Sequence, residues 1–182
     1  LMKALDLVVR RAQDMNRPLA VNISFGNTYG SHDGTSLLET FINDMSGIGR
    51  NVIVAGTGNE GTGAGHRAGS LVMGQEENAQ LSIAPYETGM GVQLWKSYVD
   101  QFSIRLVTPS GEIIGPIDSR LGPQELRYGG TQILIYYGKP SPFRRAQEVY
   151  FDFLPVRDYL DSGIWTFRLT PERIVTGRYD MW

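Results

Sequence analysis

The sequence predicts a bipartite chain, α/β at its start and all-β after that. Two observations carry the prediction. Up to about residue 76, two nearly continuous apolar runs alternate with two amphipathic helical patterns, as in parallel strands covered on both faces by helices. Beyond that point the apolar residues fall in short alternating runs broken by Gly and Pro. Seven or eight such runs in about 100 residues indicate a β-sandwich or jelly roll. The expected division is 1–76, 77–177 and a closing segment 178–182.

The first element is a helix. Leu1, Leu5, Val8, Val9, Ala12 and Met15 recur at helical spacing and form one apolar face. Asn16-Arg17-Pro18 ends it, because Pro disfavours helical geometry in the residue before it. Leu19 to Phe25 reads as an apolar strand, and Gly26 to Gly34 as a turn-rich loop. A second helix runs from about Leu37 to Met45, with Gly47 and Gly49 suited to its C-terminal end. Asn51 to Ala55 is a second short apolar strand, and a glycine-dense loop, Gly56 to Gly74, follows. The expected β-runs are Gln80–Ala84, Gly91–Tyr98, Phe102–Thr108, Glu112–Ile114, Gln132–Tyr137, Gln147–Phe153 and Gly163–Leu169. No Ser, Thr, Asp or Asn precedes Leu1 to cap the first helix, and Arg178 to Trp182 stops just after a strand-like run. Both ends therefore read as excision points in a larger protein.

Composition narrows the chemistry. The 182 residues carry 17 Lys plus Arg against 19 Asp plus Glu, a net charge of −2, which argues against a nucleic-acid partner. The chain has no cysteine and only two histidines, His32 and His66. Disulfides, thiolate metal sites, cysteine nucleophiles and multi-histidine metal centres are thereby excluded. No apolar run approaches the roughly 18 residues that span a bilayer, so no membrane partner is expected. Asp118, Asp158 and Asp161 are too scattered to suggest calcium, and neither metal nor cofactor is expected.

Several motifs need weighing. Gly56-Thr57-Gly58-Asn59-Glu60-Gly61 matches G-x-G-x-x-G and follows a strand. The dinucleotide fingerprint also needs a helix to hold the pyrophosphate, and the three further glycines up to Gly69 oppose one. Ser36-Leu37-Leu38-Glu39 is a capping box at a helix start. His32-Asp33 are chain neighbours, an arrangement that seldom gives nucleophile–base geometry, and His66 reads as a loop histidine.

Two segments together carry a resemblance. Ala55-Gly56-Thr57-Gly58-Asn59-Glu60-Gly61 is similar to the A-x-G-N-E-G segment of subtilisin-like serine proteases (subtilases, peptidase family S8). Val21-Asn22-Ile23-Ser24-Phe25-Gly26 resembles their V-I-N-x-S-x-G strand, with a helix between the two segments as in that family. The resemblance implies that residues 1–76 are part of a subtilase catalytic core, that 77–177 is a jelly-roll insertion and that 178–182 returns to the core. It implies that Asn59 donates its side-chain amide to the oxyanion of the tetrahedral intermediate. It further implies that Ser24, Phe25 and Gly26 border the specificity pocket and pair with an extended peptide. Gly58 and Glu60 would flank the substrate, although Glu60 reads equally well as a solvated loop carboxylate. Gly34-Thr35-Ser36 matches the G-T-S of the nucleophile motif, but Leu37-Leu38-Glu39 departs from the family's continuation, and Ser36 precedes Asn59 where the family's nucleophile follows it.

The Asp and His of the triad would lie before Leu1 and the Ser after Trp182. The implied partners are a protein or peptide substrate and the rest of the protease chain, and this chain alone is expected to be inactive. A β-module between the oxyanion and serine segments is similar to the Csp-type subtilases of spore-forming anaerobes, which process a cortex-lytic enzyme during germination. That likeness implies a bacterial source and a spore-associated or extracellular setting. Two alternatives stand beside it. One is a pseudoprotease acting as regulator or sensor. The other is a carbohydrate-binding module in which Trp95, Tyr98, Tyr136, Tyr137, Tyr150 and Trp165 stack on sugars, although aromatics at alternating strand positions more often belong to a core.

Overall fold

The computed structural model describes residues 1–26, 29–59, 61–139 and 146–182. The chain divides into two compact units, Leu1–Ala64 and Gly65–Trp182.

The first unit holds α1 (Met2–Asp14), β1 (Leu19–Ile23), α2 (Leu37–Ser46) and β2 (Asn51–Ala55). The expected helices and strands are all present. β1 and β2 pair in parallel, from Leu19↔Asn51 to Ile23↔Ala55. Leu5 and Val9 of α1 are buried, while Leu1 and Met15 at its ends are exposed. The capping box forms: Ser36 Oγ accepts from the Glu39 amide at 3.3 Å, and Glu39 Oε2 accepts from the Ser36 amide at 3.0 Å. Ser36→Ala is expected to destabilise this unit by about 1 kcal/mol, since it strands an amide at the helix start. Far-UV circular dichroism during urea titration measures it. One expectation needs correction. The ribbon is not covered on both faces, because Val52 and Val54 are exposed. Burial alternates along β1, so only Leu19, Val21 and Ile23 turn towards cover.

The second unit is a sandwich of two antiparallel sheets. The six-stranded sheet has the order β3-β12-β5-β10-β9-β8 and the four-stranded sheet β4-β11-β6-β7. Their strands are β3 (Arg67–Ser70), β4 (Glu77–Ile83), β5 (Met90–Ser97), β6 (Gln101–Val107), β7 (Ile113–Ile117), β8 (Gly122–Tyr128), β9 (Thr131–Tyr137), β10 (Ala146–Pro155), β11 (Gly163–Arg173) and β12 (Arg178–Met181). Inward residues of both sheets, among them Leu94, Ile104, Ile135, Phe151, Trp165 and Phe167, form one buried cluster. Phe151 and Phe153 meet Phe167 and Trp165 edge-on, with centroids 4.9 and 5.4 Å apart.

By compactness the chain divides once, at 64/65, where the sequence suggests 76/77 and 177/178. β3 lies inside the stretch read as glycine-dense loop, and it pairs with β12, the segment read as a return out of the module. The buried Tyr179 ring explains the glycine there: a Cβ on Gly69 would come within 2.3 Å of it. Two kinds of connection link these strands. β4, β5 and β6 alternate, and so do β10, β11 and β12. Between them β6–β7 form a hairpin within one sheet and β8–β9–β10 a meander within the other.

Candidate active site

Parallel pairing decides where the loops after β1 and β2 emerge. Both strands end at the same level, with Ile23 opposite Ala55, and the Gly56 amide donates to the Ile23 carbonyl at 3.0 Å. The loops carrying Ser24, Phe25 and Gly26, and Gly56 to Asn59, therefore leave one edge of the ribbon side by side. The carboxyl ends of parallel strands are where open α/β sheets bind ligands.

Each expected residue except Glu60 can be placed. β1 stops at Ile23, two residues short of the expected end, and Ser24 to Gly26 continue as irregular chain. Ser24 Oγ accepts from Asn22 Nδ2 at 2.8 Å. The sequence names Asn22 only as part of the β1 motif and gives it no role of its own. Its signal is a carboxamide at an outward position of an apolar strand. Phe25 is 64% exposed, so it packs into no core. A Cβ at Gly26 or Gly58 would meet nothing within 4 Å, and Gly58 has φ +96, a conformation that favours glycine. Asn59 is exposed, next to that glycine. Glu60 lies outside the described residues.

The remaining polar candidates have local roles. Asp33 Oδ1 accepts from Ser31 Oγ at 2.6 Å, from Thr35 Oγ1 at 2.6 Å and from the Thr35 amide at 3.0 Å. Burial pushes this carboxyl up, but the hydrogen bonds from Ser31 and Thr35 outweigh it and hold the group below its ordinary value. Its Oδ1 is thus spent on a turn. His66 faces Asp180 at 3.1 Å and stacks on Trp182, 3.8 Å between centroids, inside the second unit. Asp161 accepts from the Gly130 amide and Thr131 Oγ1, anchoring the β8–β9 turn.

Among the described residues no group of three or more His, Asp or Glu gathers as a metal site, and no helix is long and apolar enough to cross a membrane. Of the aromatics considered for sugar stacking, Trp95, Tyr137 and Trp165 are buried. Tyr98 donates to the Lys139 carbonyl at 3.1 Å. Tyr136 and Tyr150 sit opposite each other on β9 and β10 with centroids 6.4 Å apart.

The fold is similar to that of part of a Csp protease. Among solved structures it is similar to the CspB protease of Clostridium perfringens, with a TM-score of 0.89 and 31% identity over 100% of this chain. The chain spans 39% of the length of that protease. No protein-family model and no curated protein matches the chain.

Proposed function

We propose that the first unit supplies the oxyanion and substrate-binding side of a subtilisin-like serine endopeptidase. Asn59 Nδ2 donates to the oxyanion that forms when a serine attacks the peptide carbonyl. The chain at Ser24–Gly26 pairs with the extended substrate, and Gly58 lets the peptide approach closely. The serine, its histidine base and the aspartate that orients the histidine belong to the rest of the protease. The observation that carries this reading is the shared strand end, Ile23 opposite Ala55, with an exposed Asn59 four residues beyond β2. The 31% identity to a protease over the whole chain supports it.

An oxyanion donor without a nucleophile and base cannot turn over peptide bonds. The 182-residue chain alone is therefore expected to release no product from a fluorogenic peptide. The parent protein is expected to cleave it and to be stopped by a serine-directed phosphonate. Phosphonate-sensitive cleavage by the short chain would place the nucleophile inside it and overturn the assignment of roles.

A further inference from the structure

The outer side of the four-stranded sheet carries charges that do not neutralise one another. Arg105 on β6 lies directly opposite Arg168 on β11 in the strand register. Like charges at opposed positions on one face destabilise a sheet. Arg168 leans on Glu76 at 4.0 Å, and its buried Nε has no hydrogen-bond partner. Arg105 forms neither an ion pair nor a hydrogen bond among the described residues. It lines an open pocket of about 460 Å³, whose other walls include the carboxylates Asp118 and Glu172, the Ser103 hydroxyl and the apolar Phe102 and Pro116.

Nothing described neutralises Glu172, while Asp118 accepts from the Arg120 amide at 3.2 Å and makes a loose 3.7 Å ion pair with the exposed Arg120 side chain. The field of both carboxylates is felt nearby. Burial, then the charges of Glu172 and Asp118, push the Tyr137 hydroxyl up to about 12. A guanidinium and two carboxylates thus surround a space in the size range of small-molecule sites without closing on each other, beside an apolar wall. A purely anionic ligand would be repelled by Asp118 and Glu172, and a purely cationic one by Arg105 and Arg168.

We infer that this pocket binds a small zwitterion bearing a carboxylate and an ammonium group. The carboxylate meets Arg105, which offers a bidentate fork for it. The ammonium meets Glu172 and Asp118, and an apolar side chain lies on Pro116. A free amino acid and a short peptide both supply this chemistry. The site is separate from the proteolytic reading and stands or falls without it.

Calorimetric titration of the 182-residue chain with L-leucine and with the dipeptide Leu-Leu tests the inference. One saturable site is expected for at least one of them below about 10 mM. The tighter of the two identifies the source as free amino acid or peptide. Leucinamide, which lacks the carboxylate, and isocaproate, which lacks the ammonium, are each expected to bind about tenfold more weakly or worse. Arg105→Gln and Glu172→Gln should each weaken binding by a similar factor. Arg105→Gln should not lower the melting temperature, because it also relieves the apposition with Arg168, and Glu172→Gln alters only an exposed side chain. No saturable binding of either ligand, equal affinity for leucinamide or isocaproate, or unchanged affinity in both variants would overturn it.

Discussion

Replacing Asn59 by Ala in the parent protease is expected to lower kcat by about 10²–10³, with a much smaller change in KM. That is the cost of removing the single side-chain oxyanion donor of subtilisin, roughly 2.7–4 kcal/mol of transition-state stabilisation. On the proposed role the effect falls on kcat, because the amide would meet full negative charge only after the nucleophile has attacked. Asn59→Asp should be at least as damaging, since a carboxylate would face the oxyanion with like charge and no donor. Neither change should disturb folding, because Asn59 is exposed and the cross-strand bond from Gly56 to Ile23 does not involve it. Michaelis kinetics on a peptide substrate, with far-UV circular dichroism as the folding control, separate these outcomes. A kcat within about threefold of the unsubstituted protease, or a change confined to KM, would remove Asn59 from the reaction.

The first unit was legible because each of its signals is local. Helical spacing in 1–15, the Ser36–Glu39 box and two apolar runs ending in turn residues need no distant partner to be recognised. The two strand ends were legible as motifs, but their adjacency came only with the parallel register of Ile23 and Ala55. In the sandwich, the central strands showed their alternation, whereas three edge or near-edge strands did not. β3 reads Arg-Ala-Gly-Ser because Gly69 must leave room for the Tyr179 ring. β8 lies at the other edge and carries Pro123, Glu125 and Arg127, the polar punctuation that edge strands tolerate. β12 was too short to show a period. Arg105, Asp118 and Glu172 stand far apart along the chain, and Asp118 drew notice only as a metal ligand to be discounted. Strand pairing and the turn after β7 bring them to one pocket, which no window along the sequence can show.

The largest loss of stability is expected from Asp100→Ala. Asp100 is 1% exposed, in the turn between β5 and β6, and its carboxylate holds the loop between β11 and β12. Oδ1 accepts from the amides of Val175 at 2.6 Å and Thr176 at 2.9 Å. Oδ2 accepts from the Gly177 amide at 2.9 Å and from Thr176 Oγ1. Beneath it the buried Lys96 donates to the Asp100 carbonyl at 2.7 Å and lies 5.3 Å from the centre of the Phe102 ring. Alanine would strand these donors in a poorly hydrated place and leave Lys96 without its nearest negative charge. Together these losses amount to about 3–5 kcal/mol. All three tryptophans lie in the second unit, so fluorescence during urea unfolding reports on that unit alone. The pH dependence supplies an independent signature. Burial pushes the Asp100 carboxyl up, but the bonds from Thr176, Val175 and Gly177 more than offset it, so the folded value lies below the unfolded one. The stabilisation is thus fully present above the unfolded value of about 3.9 and is lost as pH falls through the folded value. Asp100→Asn should remove that part of the acid slope while keeping one acceptor, and should fall between the parent chain and the alanine variant. Lys96 acts at the other end of the scale, because burial lowers its value and the Asp100 charge only partly restores it. Its cost to the folded state is lifted as pH rises from that lowered value towards about 10.4. An Asp100→Ala chain within about 1 kcal/mol of the parent, or an Asp100→Asn chain with an unchanged acid slope, would mean that water rather than this carboxylate satisfies the β11–β12 loop.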